Sequence, residues 1–255
     1  MTPANILAIA SGKGGVGKTW FAITTAHALA RGGRRVLLFD ADLGLANVDI
    51  QLGLTPACDL ADVLAGRATL AEAVVHHDEA GFDIMAGRSG SGALASLDAA
   101  AIDELLDALR DATGRYDAVL LDLGAGVDRT GRRLAAGADT LVVLATEEPT
   151  SITDAYAVLK LHSTDRPGGD QRVVINQAPT ATAGERTYGA IARAAVQFLG
   201  RAPSLAGVVR RDRAVPVAIR RQALLLTRAP NSHAAVDVER IAEGLLVPAA
   251  VMPTV

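Results

Sequence analysis

Seven short apolar runs punctuate the chain: Ile6 to Ala10, Val36 to Phe39, Phe82 to Met85, Ala118 to Leu121, Leu141 to Ala145, Val173 to Ile175 and Leu205 to Val209. Each is too short for a helix and nearly unbroken by polar residues, which predicts strands buried on both faces. Between most of them the apolar residues recur at spacings of three and four. That period predicts helices over Lys18 to Ala30, Ala99 to Ala112, Ser151 to His162, Glu185 to Leu199 and Val236 to Leu246. Strands alternating with helices give an α/β class of three layers, a mainly parallel twisted sheet flanked by helices on both faces. In such sheets ligands sit at the carboxyl ends of the strands.

Composition narrows this picture. With 255 residues, 50% of them hydrophobic, the chain can bury one sizeable core, and residues 1–255 are expected to form a single domain. No internal repeat or long linker interrupts it. The stretch Gly87 to Gly92, rich in glycine and serine, is expected to be a plain connection after a strand. A formal charge of −3 supplies no general attraction to nucleic acid. Cys58 is the single cysteine, which excludes a disulfide framework and any multi-cysteine metal or iron–sulfur site within one chain; a small buried apolar role is expected for it. The N-terminus has no charged leader pattern and no apolar run approaches the roughly 18 residues of a spanning helix. A cytoplasmic protein is the expectation.

Only three lysines, Lys13, Lys18 and Lys160, stand among the 25 basic residues, and two of them fall within "SGKGGVGKTW" (Ser11 to Trp20). A chain that otherwise prefers arginine is using a compact ammonium here. Two phosphate motifs overlap in this stretch. Gly12, Gly14 and Gly17 fit the dinucleotide fingerprint, with Asp40 where a ribose-binding carboxylate would stand. Gly12, Gly17, Lys18 and Thr19 also fit the P-loop, between a predicted strand and a predicted helix. Chemistry separates them. A dinucleotide site has no use for Lys18 and Thr19, whereas a triphosphate site needs an ammonium on the β- and γ-phosphates and a hydroxyl on Mg²⁺. Gly14, Gly15, Val16 and Gly17 then offer backbone N–H groups to the anion at a helix N-terminus. Such a site also needs a carboxylate for the magnesium shell at a neighbouring strand end, and Asp122 in "YDAVLLD" is placed for that. The fold expected is therefore a P-loop NTPase.

The early lysine of "KGGVGKT" (Lys13 to Thr19) resembles the deviant Walker A of the MinD/ParA family of ATPases. "VLLFDADLGLANVDIQLGL" (Val36 to Leu54), "YDAVLLDLGAGVD" (Tyr116 to Asp128) and "TEEPTSITDAYAVLK" (Thr146 to Lys160) are most similar to its FlhG/FleN branch, regulators of flagellar number and placement. The resemblance implies an ATP- and Mg²⁺-dependent molecular switch that forms a homodimer with ATP and hydrolyses it slowly. It implies that Lys13 reaches the partner's nucleotide and that Asp42 positions the attacking water. Asp40 would assist the magnesium shell, Asn176 would recognise adenine, and Glu148 would approach the partner's ribose. A flagellar or polar-organisation protein is the implied partner, with recruitment to the pole or the nucleoid.

Three departures from the family pattern stand out. Trp20 occupies the place of a second threonine whose hydroxyl meets the α-phosphate, leaving only the backbone N–H of Trp20 for that contact. Few residues precede the first predicted strand, so the N-terminal extension by which that branch stimulates a partner GTPase is not expected. Val236 to Leu246 sets Val238, Ile241, Ala242, Leu245 and Leu246 on one face, but Asp237, Glu239 and Glu243 outweigh Arg240. Anionic lipid does not favour such a helix, so packing on the sheet is expected rather than membrane contact.

From Arg201 to Arg228 stand Arg201, Arg210, Arg211, Arg213, Arg220, Arg221 and Arg228 against the single acid Asp212. A solvated face is one reading, favoured by the lack of interleaved aromatics. The other is a ParA-like positioning ATPase that binds DNA non-specifically through this patch. A metabolic P-loop enzyme, amide-forming or kinase-like, would need an acceptor pocket, for which no motif is present.

Overall fold

The computed structural model describes residues 5–42, 46–87, 99–112 and 114–247. All seven predicted strands are present, as β1 (Asn5–Ser11), β2 (Val36–Ala41), β4 (Phe82–Met85), β5 (Ala118–Ala125), β6 (Thr140–Ala145), β7 (Asp170–Ala178) and β8 (Ser204–Arg210). They lie in one sheet of order β3-β4-β2-β5-β1-β6-β7-β8, parallel except for β3 (Val74–His77), an edge strand antiparallel to β4. β3 is only four residues long, follows a helix directly and carries two histidines, so it offers no apolar alternation to read.

The pleat sorts each strand's side chains between two cores. From β1, Leu7 and Ile9 join one cluster and Ile6, Ala8 and Ala10 the other. The first face is covered by α1 (Lys18–Arg31), α2 (Val48–Leu52), α9 (Ala214–Arg220), α10 (Leu225–Arg228) and α11 (His233–Leu245). The second is covered chiefly by α5 (Ala99–Ala112), α6 (Arg129–Gly137), α7 (Pro149–Asp165) and α8 (Ala181–Leu199), with the short α3 (Leu60–Leu64) and α4 (Leu70–Ala73) beside them.

The helix α11 packs as its apolar face demands, burying Val238, Ile241, Ala242 and Leu245. Its one buried acid, Asp237, takes a two-pronged ion pair from Arg210 at 2.8 Å. Among the described residues no helix is long and apolar enough to cross a membrane. Cys58 is half-buried against the second cluster rather than fully enclosed. The connection from residue 88 onward and the tail from Pro248 lie outside the described residues.

The helix that carries the phosphate loop, α1, is buried on more than its apolar stripe, enclosing Thr24, Thr25 and His27 as well. Burial, reinforced by the charges of Arg31 and His77, pushes the His27 imidazole down to about 4. The unfolded chain therefore binds a proton at His27 between its ordinary pKa and about 4, whereas the folded chain does not, so acidification favours unfolding in that window. Stability is expected to fall by about 2 kcal/mol through this residue between pH 7 and pH 5. Urea titrations of the parent and of His27→Gln at both pH values check this; the variant should lose correspondingly less.

Candidate nucleotide site

β1 runs at the centre of the sheet and turns at Ser11 into a loop that enters α1 at Lys18. The chain leaves β1 toward β2 on one flank and leaves its neighbour β6 toward β7 on the other, so the crevice between their carboxyl ends is a topological switch point. Two glycines in the loop are dictated by crowding. A Cβ on Gly12 would stand 2.4 Å from the Asp154 carbonyl oxygen of α7, and one on Gly17 would stand 2.6 Å from Asn176 Nδ2. Gly17 also has φ +90°, in the left-handed region. Gly14 and Gly15 are exposed and Val16 is buried in the core. Gly17 is the N-cap of α1, with no side-chain cap and no acid in the first turn. The opening N–H groups of that helix therefore face the loop and suit an anion.

Lys18 is buried and sets its Nζ 3.5 Å from Asp122 Oδ1. Asp122 is wholly enclosed, and its carboxylate is held only loosely, by Lys18 Nζ at 3.5 Å and by the Thr19 hydroxyl. Burial pushes its carboxyl above the ordinary range, with the Asp42 charge adding to it and the Lys18 charge and these weak bonds opposing. A buried carboxylate so weakly compensated carries a desolvation penalty of roughly several kcal/mol. A divalent cation relieves that penalty, so the donor set fits Mg²⁺ held by Asp122 and the Thr19 hydroxyl. The ion would neutralise phosphate charge there.

Asp40 lies opposite Asp122 in the register of β2 and β5. Its oxygens are already engaged: Oδ1 accepts from Asp42 N at 3.1 Å, and Oδ2 accepts from Asn47 N at 2.9 Å and Val48 N at 3.0 Å. Burial and then the Asp122 charge push Asp40 up to about 7, while these three bonds pull it back. These three bonds tie Asp42, Asn47 and Val48 to Asp40, beside the part in the magnesium shell that the family resemblance implies for it. Asp42 faces β5, where a Cβ on Gly124 would stand 3.3 Å from its Oδ1.

The other expected residues fall around the same mouth. Lys13 donates to Glu148, the N-cap of α7, and to Thr150 Oγ1 at 3.1 Å. Asn176 donates from Nδ2 to Val16 O at 2.8 Å and accepts at Oδ1 from Gln177 N at 2.8 Å, bracing the loop from β7. The Trp20 indole points away, buried among Ile23, Leu224 and Leu225, so only its backbone can meet a ligand. Sequence reasoning missed Ser11, whose Oγ donates to Lys13 O at 2.9 Å, and Thr150. It also missed Gln177, one of two non-glycine residues described with positive φ. The arginine stretch is divided: Arg201 donates to Gly169 O, Arg210 pairs with Asp237, and Arg211 approaches Glu147 at 3.6 Å. Arg213, Arg220, Arg221 and Arg228 remain exposed.

An uncapped helix N-terminus behind a glycine loop, with a buried lysine and a carboxylate suited to a cation, defines a P-loop nucleotide-binding protein. Residues 7–226 match the family described as the CobQ/CobB/MinD/ParA nucleotide binding domain, and the chain belongs to that family. It is a P-loop ATPase with ATP and Mg²⁺ as its nucleotide and ion. Among its relatives is the antiactivator FleN of Pseudomonas aeruginosa, 36% identical over 95% of this chain and 86% of FleN. The flagellum site-determining protein YlxH of Helicobacter pylori is 30% identical over 94% of this chain and 81% of YlxH. In fold the chain resembles the septum site-determining protein MinD of Pyrococcus horikoshii OT3, solved with Mg-ADP. There the TM-score is 0.80 at 23% identity, covering 96% of this chain and all of that one.

Removing Lys18 takes away the buried cation of the loop, and Lys18→Ala is expected to abolish measurable Mg-ADP binding in calorimetry. Asn176→Ala removes the brace on Val16 and is expected to weaken Mg-ADP by about tenfold, the scale of one or two lost hydrogen bonds. Parental affinity in either variant would contradict the geometry.

Proposed function

We propose that the chain is an ATP-dependent switch that dimerises with Mg-ATP, is reset by slow hydrolysis, and sets flagellar number or placement. The observation that carries the dimer is the division between the two lysines. Lys18 lies against Asp122 in its own centre, whereas Lys13 is bonded at the rim to Glu148 and Thr150 at the start of α7. A rim lysine can cross to the triphosphate of a facing subunit. Two triphosphates facing each other repel, and one Lys13 from each side lowers that repulsion only when the γ-phosphate is present. Asp42 then serves hydrolysis, and Glu148 gives up Lys13 and turns toward the partner. The flagellar part rests on likeness to FleN and YlxH across nearly the whole chain.

A ParA-like reading draws on a separate observation, the exposed Arg213, Arg220, Arg221 and Arg228. Arg201 and Arg210 are turned inward, which reduces the charge available to phosphates. Flagellar regulation is therefore the preferred reading.

Sedimentation of Asp42→Ala is expected to give a dimer with Mg-ATP and a monomer with Mg-ADP, while Lys13→Ala binds ATP and stays monomeric. A Lys13→Ala dimer of undiminished stability would remove the crossing role. Adding duplex DNA across a salt series separates the two readings, because phosphate binding is released steeply by salt. In a flagellated strain lacking its own relative, the chain should restore the parental filament count and Lys18→Ala should not. A count that the chain leaves unchanged contradicts the flagellar part.

A further inference from the structure

We propose that Trp20 and His27 form a buried binding site for one water molecule, set between the phosphate-loop helix and the elements packed against it. Trp20, Ile23, Thr24 and His27 recur at spacings of three and four, so they share one buried face of α1. α2 and the stretch from α9 to α10 lie against that face. A small cavity remains where the four meet Gln51, Leu52, Ile219 and Leu224.

Two side chains in its wall carry polar atoms that no described residue satisfies. Trp20 is 6% exposed and His27 3% exposed, and neither the indole Nε1 nor the imidazole Nδ1 forms a hydrogen bond with a described residue. Thr24 differs from them: its Oγ1 donates to Trp20 O at 2.8 Å, so it has only a lone pair left to offer. Gln51 stands half-buried at the edge of the cavity, with a carboxamide that can donate or accept.

These groups define the occupant. The indole N–H is a donor only, which calls for an acceptor and turns away a cation. Burial holds the His27 imidazole neutral at ordinary pH, so no side chain lining the cavity carries a charge to balance an anion. A neutral molecule that both accepts and donates answers this set, and the space suits about one water. Having accepted from Trp20 Nε1, that water has further bonds to make among His27 Nδ1, Thr24 Oγ1 and Gln51. A dry indole N–H would cost as much as a lost hydrogen bond, and the water restores it. The site begins one residue after Thr19 and adjoins α2, whose first residue, Val48, is tied to Asp40. It is therefore a hydrogen-bonded joint between two elements of the nucleotide centre.

Trp20 is the single tryptophan, so nuclear magnetic resonance of the isotope-labelled chain shows one indole N–H. That proton should give cross-peaks to water of opposite sign in laboratory-frame and rotating-frame Overhauser spectra, which marks a bound water rather than proton exchange. In Thr24→Val, which removes a hydroxyl able to relay the signal, the cross-peaks should persist. A crystal structure of the chain should place one oxygen about 3 Å from Trp20 Nε1. An indole proton without water cross-peaks, cross-peaks lost in Thr24→Val, or a crystal in which that oxygen is lacking or is replaced by a protein atom or a larger molecule overturns the proposal.

Discussion

The structure is organised around a buried charge that the protein alone does not satisfy. Asp122, wholly enclosed within β5, has Lys18 Nζ at 3.5 Å and only weak hydrogen bonding, while Asp40 sits beside it on β2. Burial pushes both carboxyl groups upward, and like charge adds to it, from Asp122 at Asp40 and from Asp42 at Asp122. A magnesium ion with a polyphosphate would complete this set, with Asp122 to hold the ion and Lys18 and the N-terminus of α1 to face the phosphates. Ligand binding would then relieve a cost that folding incurs at the same atoms.

The surrounding elements keep that charge in place while leaving its rim adjustable. Gly12 lets the loop press against the backbone of α7, and Gly17 lets it press against Asn176, so the loop is clasped from two neighbouring elements. Asp40 ties the Asp42 loop by three backbone N–H groups. The rim is looser: Lys13 and Glu148 are exposed partners whose ion pair is screened by water and salt. A firmly held interior with a solvent-exposed outer pair suits the switch proposed above.

Much of this was legible in the sequence because it rests on periodicity and on spacing. Fully buried parallel strands leave unbroken apolar runs, and the loop's glycines, Lys18 and Thr19 stand at intervals that only phosphate chemistry explains. α6 was not legible, since "RTGRRLAAG" buries only Thr130, Leu134 and Ala135 and holds a glycine inside the helix. The starts of α8 and α11 lie earlier than their apolar periods, fixed by the capping hydroxyls of Thr180 and Ser232. In the site, carboxylate partners escape a linear reading: the three N–H groups on Asp40 come from Asp42, Asn47 and Val48, which no spacing rule marks as its partners. Gln177 escapes because a left-handed backbone at a residue other than glycine leaves no compositional mark. In the arginine stretch a linear run of like charge hides that folding ties part of it down, Arg210 to Asp237 and Arg201 to Gly169 O.

The central claim is that Asp122 is the carboxylate through which Mg²⁺ couples nucleotide to fold, and it is tested most directly by thermal melting with ADP, with and without Mg²⁺. The parent should gain markedly in melting temperature from ADP only when Mg²⁺ is present, since ligand that binds only the folded state stabilises it in proportion to its affinity. Asp122→Ala should show the same small shift with the ion or with chelator. A variant that keeps the full magnesium-dependent gain would contradict the account.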